Sequence, residues 1–270
     1  MKLWKENGMK IFIKDKEEIN IMREGGKILG EILFELEKMV QPGITTGELD
    51  EKAEDLMRKY GVKASFKGYQ GFPACLCTSI NEQVVHGIPG PYVLKDGDII
   101  TIDCGVFHKG FHTDSAITKG VGIIKPEHQK FLSTVEKSLK KAIEAARPGI
   151  RVMHLSGIIQ DTVEKEGYSP VRDMVGHGVG QNLHEDPCVF NFRANEPSPI
   201  LQPGMTIAVE PIIAMGNHRI KTLRDGWTTV TCDGSLAAQV EHTLAITQKG
   251  CEILTARPSG HPKNTPENIP

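Results

Sequence analysis

The sequence predicts a single α+β domain built on an antiparallel sheet, and two observations predict it. The first is an internal repeat. Pro42-Gly43-Ile44 and Pro148-Gly149-Ile150 each separate two helical patterns and lie 106 residues apart, as do the closing glycines Gly61 and Gly167. Residues 94–103 (LKDGDIITID) align with 201–210 (LQPGMTIAVE) at an offset of 107, and 114–120 resembles 241–250. Each half, about 16–120 and 126–250, reads helix, Pro-Gly-Ile, helix, loop, turn, acidic strand, acidic strand. Helices followed by strands, without strict βαβ alternation, favour an antiparallel α+β arrangement over a doubly wound one. The second observation is a pair of apolar, β-branched runs, 205–210 and 238–246, each carrying one acid where a buried strand should carry none. These acids are Glu210 and Glu241. A carboxylate in such a run loses several kcal/mol of hydration unless a cation stands beside it.

Composition narrows the function. The chain has 270 residues, 39% hydrophobic and 24% charged, which is ample material for a core. A net charge of −2 gives no basic field for reading nucleic acid. No apolar run approaches the roughly 18 residues that cross a bilayer, and the first eight residues lack the apolar core of a secretion signal. The six cysteines (75, 77, 104, 188, 232, 251) have no framework spacing and read as thiols in a reducing cytoplasm. Cys75-x-Cys77 has no second Cys/His pair to complete a zinc site and reads as packing.

Taken in order, residues 1–12 read as a loosely held arm before a domain spanning 13–256. Asp15 or a neighbour can cap a helix starting at Lys16, whose apolar positions Ile19, Met22, Leu29, Leu33, Leu36 and Val40 keep a helical period until Gln41-Pro42-Gly43. A second helix follows with Thr46 as its N-cap and Gly61 as its C-terminal stop. Residues 64–93, rich in Gly, Pro and aromatics, read as loops and short strands. Residues 99–103 and 112–118 are strands joined through Lys109-Gly110 as hairpin turn. Helices at 126–146 and 151–166 precede a Gly/His-rich loop at 176–187, a polar loop at 191–199 and the two acidic strands. The polar, Pro-rich segment 257–270 reads as a flexible tail.

A pseudo-two-fold axis relating the halves would bring Asp103, Asp114, Glu210 and Glu241 together. Four such carboxylates cannot all remain anions without cations. Two divalent ions, about 3.5–4 Å apart and bridged by carboxylates, would neutralise them. Three histidines stand in suggestive settings: His177 among glycines in 175–180, His184 seven residues on, and His86 before Gly87. A neutral imidazole beside such a cluster can be a ligand or a proton carrier. His242 follows Glu241, and strand alternation turns it to the other face.

With these motifs in view the chain resembles the type I methionine aminopeptidases of the pita-bread fold over residues 15–256. The likeness rests on 81–89 (NEQVVHGIP), 102–103 with 110–114, 176–180 (GHGVG) with 184–187 (HEDP), 203–206 with 210–211, 225–227 and 239–243 (QVEHT). The resemblance implies a curved antiparallel sheet with helices on its outer face. It implies five metal ligands (Asp103, Asp114, His177, Glu210 and Glu241) holding two divalent ions, with Co, Mn, Fe, Zn and Ni all open. Catalytic roles fall on His86, His184 and Glu210, the two histidines handling the substrate amide and the tetrahedral intermediate. Glu210 would be a terminal ligand that moves a proton, and Glu241 a bridge. Tyr69, Phe72, Cys77 and Trp227 would line the methionine pocket. The implied activity is removal of the initiator methionine from nascent chains with a small second residue, by a cytoplasmic monomer, with ribosome docking left open. Thr113 departs from the glycine many relatives carry before the second Asp. The N-terminal zinc-binding extension of eukaryotic relatives and the long insertion of type II enzymes are both missing, since only 32 residues separate His177 from Glu210. Rival expectations are an Xaa-Pro aminopeptidase, which usually has an added N-terminal domain and another His soon after the His-Gly motif, where this chain runs from Gly180 into Gln181, and a non-catalytic pita-bread binding protein, which loses ligands.

Overall fold

The computed structural model describes residues 2–6 and 8–258. The chain opens with a hairpin, β1 (Lys2–Glu6) paired with β2 (Met9–Ile13) from Lys2↔Ile13 to Glu6↔Met9. Of the segment expected as a loose arm over 1–12, the described residues 2–6 and 9–12 are therefore paired, and Ile11 is buried in an apolar core. Helix α1 (Lys16–Met39) begins at Asp15, which accepts from the amides of Glu17 and Glu18 while the Glu18 carboxylate accepts from the Asp15 amide. Helix α2 (Thr46–Tyr60) ends at Gly61, whose φ of 67° suits glycine. Its N-cap is Thr45 and not the expected Thr46, because only Thr45 is three residues before Glu48 and so completes a capping box. Thr46 instead turns inward and bonds both backbone groups of Gly90.

Short strands follow: β3 (Lys63–Ala64), β4 (Leu76–Ile80) and β5 (Gln83–Val85). Then comes the long hairpin β6 (Ile99–His108) and β7 (Phe111–Gly120), turned at Lys109 and Gly110, both at positive φ. Helices α3 (Pro126–Ala145) and α4 (Val152–Glu164) cover the second half. Its strands are β8 (Ser169–Pro170), β9 (Gly176–Gly178), β10 (Glu185–Val189), β11 (Thr206–Val209), β12 (Ile212–Ala214), β13 (Ile220–Thr222), β14 (Thr229–Thr231), β15 (Ala237–Gln239), β16 (His242–Ile246) and β17 (Cys251–Ile253). Every strand pair among the described residues is antiparallel, and the molecule is an α+β fold as expected.

Each helix pair covers its own part of the sheet. Leu29, Leu33 and Leu36 of α1 with Leu49 and Leu56 of α2 pack on Ile100, Ile102, Val106 and Ile117. Phe131, Val135 and Leu139 of α3 with Leu155 and Ile159 of α4 pack on Ile207, Val209, Leu244 and Ile246. Between the two cores runs a seam where β7 meets residues 239–243. The Glu241 amide donates to the Ala116 carbonyl at 3.0 Å, Asp114 N–H donates to Thr243 Oγ1 at 2.9 Å, and Thr118 Oγ1 donates to the Gln239 carbonyl at 2.5 Å. Residues 259–270, most of the segment expected as a tail, lie outside the described residues. No helix of the described residues is long and apolar enough to cross a membrane.

Candidate metal centre

The register of the strands sets the four carboxylates. Asp103 of β6 faces Ala116 of β7, and Gly105 faces Asp114. Residues two apart on a strand share a face, so Asp103 and Asp114 are diagonal neighbours on one surface. In the second half the acids do not lie inside strands, as the apolar runs had led one to expect. β11 stops at Val209 and β12 starts at Ile212, because Pro211 has no N–H to give to the ladder. β15 and β16 break at the matching place, Val240-Glu241. The pairings Val209↔His242 and Ile212↔Gln239 flank the gap, so the register carries Glu210 opposite Glu241. Like charges directly opposed across a ladder repel. The seam then sets this pair against Asp114, since Ser115 Oγ and Thr243 Oγ1 donate to the Glu241 and Asp114 carbonyls at 2.7 and 2.8 Å.

All four carboxyl groups are buried. Oxygens of Asp103, Asp114 and Glu241 lie within 4.8 Å of one another. Asp103 Oδ1, Asp114 Oδ1 and Glu241 Oε1 are buried without a hydrogen-bond partner. Burial raises the Asp103 carboxyl to a pKa of about 7. Burial, then the charges of their neighbours in the cluster, push Asp114, Glu210 and Glu241 well above the usual carboxylate range. Buried anionic oxygens, mutually repelling and without a donor, fit a cationic guest.

His177, in β9, faces this cluster with Nε2 3.6 Å from Glu210 Oε1 and 4.0 Å from Asp114 Oδ2. Burial, then the charge of His184, lowers its pKa to about 3, so the ring is neutral at physiological pH. Nδ1 lies 2.9 Å from the Gly178 carbonyl, and donating there leaves the Nε2 lone pair turned to the carboxylates. Gly176 is required beside it: a Cβ would stand 2.4 Å from the Ala208 carbonyl and 3.3 Å from Glu210 Cγ. The donor set of four carboxylates and one neutral imidazole suits divalent transition ions.

A cavity of about 220 Å³ opens over the cluster. Its walls include Tyr69, Phe72, Cys77 and Trp227, with His86 and His184 at the polar side. Cys77 of β4 is opposite Asp103 of β6, which joins the apolar wall to the carboxylates. Burial, then the Asp103 charge, holds the Cys77 thiol protonated. Phe72 and Trp227 meet edge to face at 5.1 Å, and His86 is 6.4 Å from Trp227, ring to ring. His86 has a φ of 59°, and its neighbour Gly87 is pressed so close to Thr78 that a Cβ would fall 2.1 Å from the carbonyl. His184 is exposed at the mouth. Its Nδ1 lies 2.8 Å from the Tyr69 hydroxyl, its ring is 4.3 Å from that of His177, and partial desolvation lowers its pKa. The structure thus brings every candidate residue to one cavity. His242 points elsewhere, to Thr255 Oγ1 at 2.9 Å.

Sequence reasoning gave no role to Gln239. Its amide Nε2 donates to Glu210 Oε2 at 3.1 Å and reaches Asp103 Oδ2 at 3.4 Å, tying the two halves of the cluster. The available signal was a polar side chain two residues before Glu241, on the same face of an apolar run.

Residues 20–248 match the model of a family described as metallopeptidase family M24. The chain is 53% identical over 245 residues to a methionine aminopeptidase of Clostridium perfringens, covering 91% of this chain and 98% of the relative. It is 49% identical over 245 residues to methionine aminopeptidase 1 of Bacillus subtilis, covering 91% and 99%. A solved structure of the methionine aminopeptidase from Thermotoga maritima matches with a TM-score of 0.90 at 41% identity, over 92% of this chain and all of that one.

Proposed function

The chain belongs to metallopeptidase family M24, and from that premise we propose that it is a methionine aminopeptidase that removes the initiator methionine from nascent chains with a small second residue. The observation that carries the reading is the buried four-carboxylate cluster faced by a neutral imidazole at the base of an aromatic and thiol-lined cavity. In this reading Asp103, Asp114, His177, Glu210 and Glu241 hold two divalent ions, with Co, Mn, Fe, Zn and Ni all compatible with oxygen and imidazole donors. Bound there, the ions would polarise the scissile carbonyl and lower the pKa of water to about 7.

The chain's own residues do the rest. Glu210 takes a proton from the attacking water and passes it to the leaving amine, a role open to a carboxylate that lines the cavity beside His177. With the Tyr69 hydroxyl donating to Nδ1 of His184, the proton on Nε2 is free for the carbonyl oxygen as it becomes anionic. His86, its pKa lowered by burial and then by His184, is a neutral partner for the substrate amide. Phe72, Trp227, Tyr69 and the protonated Cys77 offer a soft, polarizable surface that suits a thioether. The substrates are nascent N-termini in the cytoplasm, met by a monomer; the six unpaired cysteines agree with a reducing compartment.

The test is release of methionine from Met-Ala-Ser, compared with Xaa-Pro peptides, with chelator and with added Mn²⁺, Co²⁺ or Fe²⁺. Chelator-sensitive release from Met-Ala-Ser is expected, with little action on Xaa-Pro. Glu210→Gln at saturating metal should lower kcat by about 10²-fold or more. Full activity in that variant would refute the proton-transfer role.

A further inference from the structure

We propose that Lys14, paired with Glu185, is a positioning residue for His184. The inference rests on the reading of His184 as the donor to the reacting oxygen. Lys14 Nζ lies 2.5 Å from Glu185 Oε2, and the two side chains are 1% and 0% exposed. They join segments 171 residues apart in sequence, the residue that follows the N-terminal hairpin and the residue next to His184.

The loop that carries His184 is held by the buried side chains of Val179 and Leu183, by the Tyr69 hydroxyl 2.8 Å from His184 Nδ1, and by a set of bonds that converge on Glu185. It bridges β9 and β10, whose pairing closes at Gly178↔Glu185. Within it Gly180 N–H donates to the Asn182 carbonyl at 3.0 Å, and His112 N–H donates to the Gly180 carbonyl at 2.7 Å. Glu185 folds back over the loop and accepts from Asn182 N–H through Oε1 at 3.1 Å, while Oε2 takes the lysine ammonium. One carboxylate therefore fastens the loop on one side and the hairpin on the other. The lysine is itself fixed: its amide donates to the Gly204 carbonyl at 2.8 Å, and its ammonium also reaches the Phe12 carbonyl at 3.3 Å. Gly204 opens the turn into β11, the strand that leads to Glu210. The stem of Lys14 passes over Gly180, where a Cβ would lie 2.4 Å from Lys14 Cε and 2.8 Å from Glu185 Oε1. The third glycine of 176–180 thus has a use that the metal ligands do not require.

Net stability is a weak reason for such a pair. Two charges buried together recover little more than their desolvation, and an apolar pair of similar size is often no less stable. What the pair does supply is a fixed distance from the turn before Glu210 to the backbone of His184. A misplacement of about 1 Å in a donor can cost on the order of 10²-fold in rate.

The test is a double-mutant cycle in the full-length, metal-loaded enzyme, with Lys14→Met, His184→Ala and both together, reading kcat and KM on Met-Ala-Ser. Lys14→Met should lower kcat by about 10- to 100-fold with KM within about twofold, and should cost nothing further in the His184→Ala background. Mn²⁺ affinity by calorimetry should be unchanged, and the ¹⁵N signals of the His184 ring should shift. If Lys14→Met does not fold, the near-isosteric Glu185→Gln takes its place in the same cycle. Equal losses in the two backgrounds, or an unmoved His184 signal, would overturn the positioning role while leaving the functional reading intact. A wild type that releases no methionine would overturn both.

Discussion

Gln239 shows what a single residue contributes at the centre of this site. Its amide touches Glu210 and Asp103 at once, so it fixes the spacing of acids drawn from different halves of the chain. Gln239→Leu keeps the volume and removes that donor. Calorimetric titration of the variant with Mn²⁺ should show affinity about 10- to 100-fold below wild type, the usual cost of losing a group that orients metal ligands. At this scale the acids were legible because a charge in an apolar run violates a pattern. The histidines were legible once such a cluster was inferred. Gln239 left only a weak signal, because a neutral amide on the face of Glu241 acquires a role only once its partners are known. Lys14 was hidden for a related reason: nothing local distinguishes a lysine before a helix from any solvated one, and its partner is 171 residues away.

Elements were easier to read than their ends. The four α-helices of the described residues and the β6–β7 hairpin follow from periodicity and from Gly and Pro stops. The start of α2 did not, since Thr45 and Thr46 are both good capping residues. The spacing to Glu48 decides between them, because the reciprocal bond needs the acid at the third helical position. Thr45→Ala should therefore cost about 1 kcal/mol, seen as a fall of about 2–4 °C in Tm by calorimetry. The breaks at Pro211 and Glu241 were likewise missed. Continuous β-branched runs predict continuous strands, and only the paired interruption reveals that the acids stand at gaps where side chains can converge. Residues 2–6 and 9–12 looked unattached because a two-stranded ribbon shows no clear alternation, yet Ile11 is in the core.

At the scale of the whole molecule, stability and metal loading are linked through the cluster. Carboxyls whose pKa the fold raises bind protons more tightly folded than unfolded, so the folded state loses stability as pH rises. For Asp103 the loss begins near the ordinary carboxylate value of about 4 and runs to about 7. For Asp114, Glu210 and Glu241 it continues higher, since their shifts are larger. Metal replaces the protons and removes this penalty. The difference in Tm between Mn²⁺-loaded and chelated protein should therefore be small at pH 5 and widen steadily to pH 8; a difference independent of pH would contradict it.

The seam between β7 and residues 239–243 has one more consequence. Each half of the molecule has its own helices and its own apolar core, so each could resemble a self-sufficient lobe. Yet each lobe carries two buried acids, and bonds across the seam help to hold three of the four in place: Gln239 on Asp103, Thr243 on the backbone of Asp114, and Ser115 on that of Glu241. Neither lobe is chemically complete alone. The same line of atoms that serves as the floor of the reaction chamber is also the clasp that keeps the two lobes one body, so wear on one function is wear on the other.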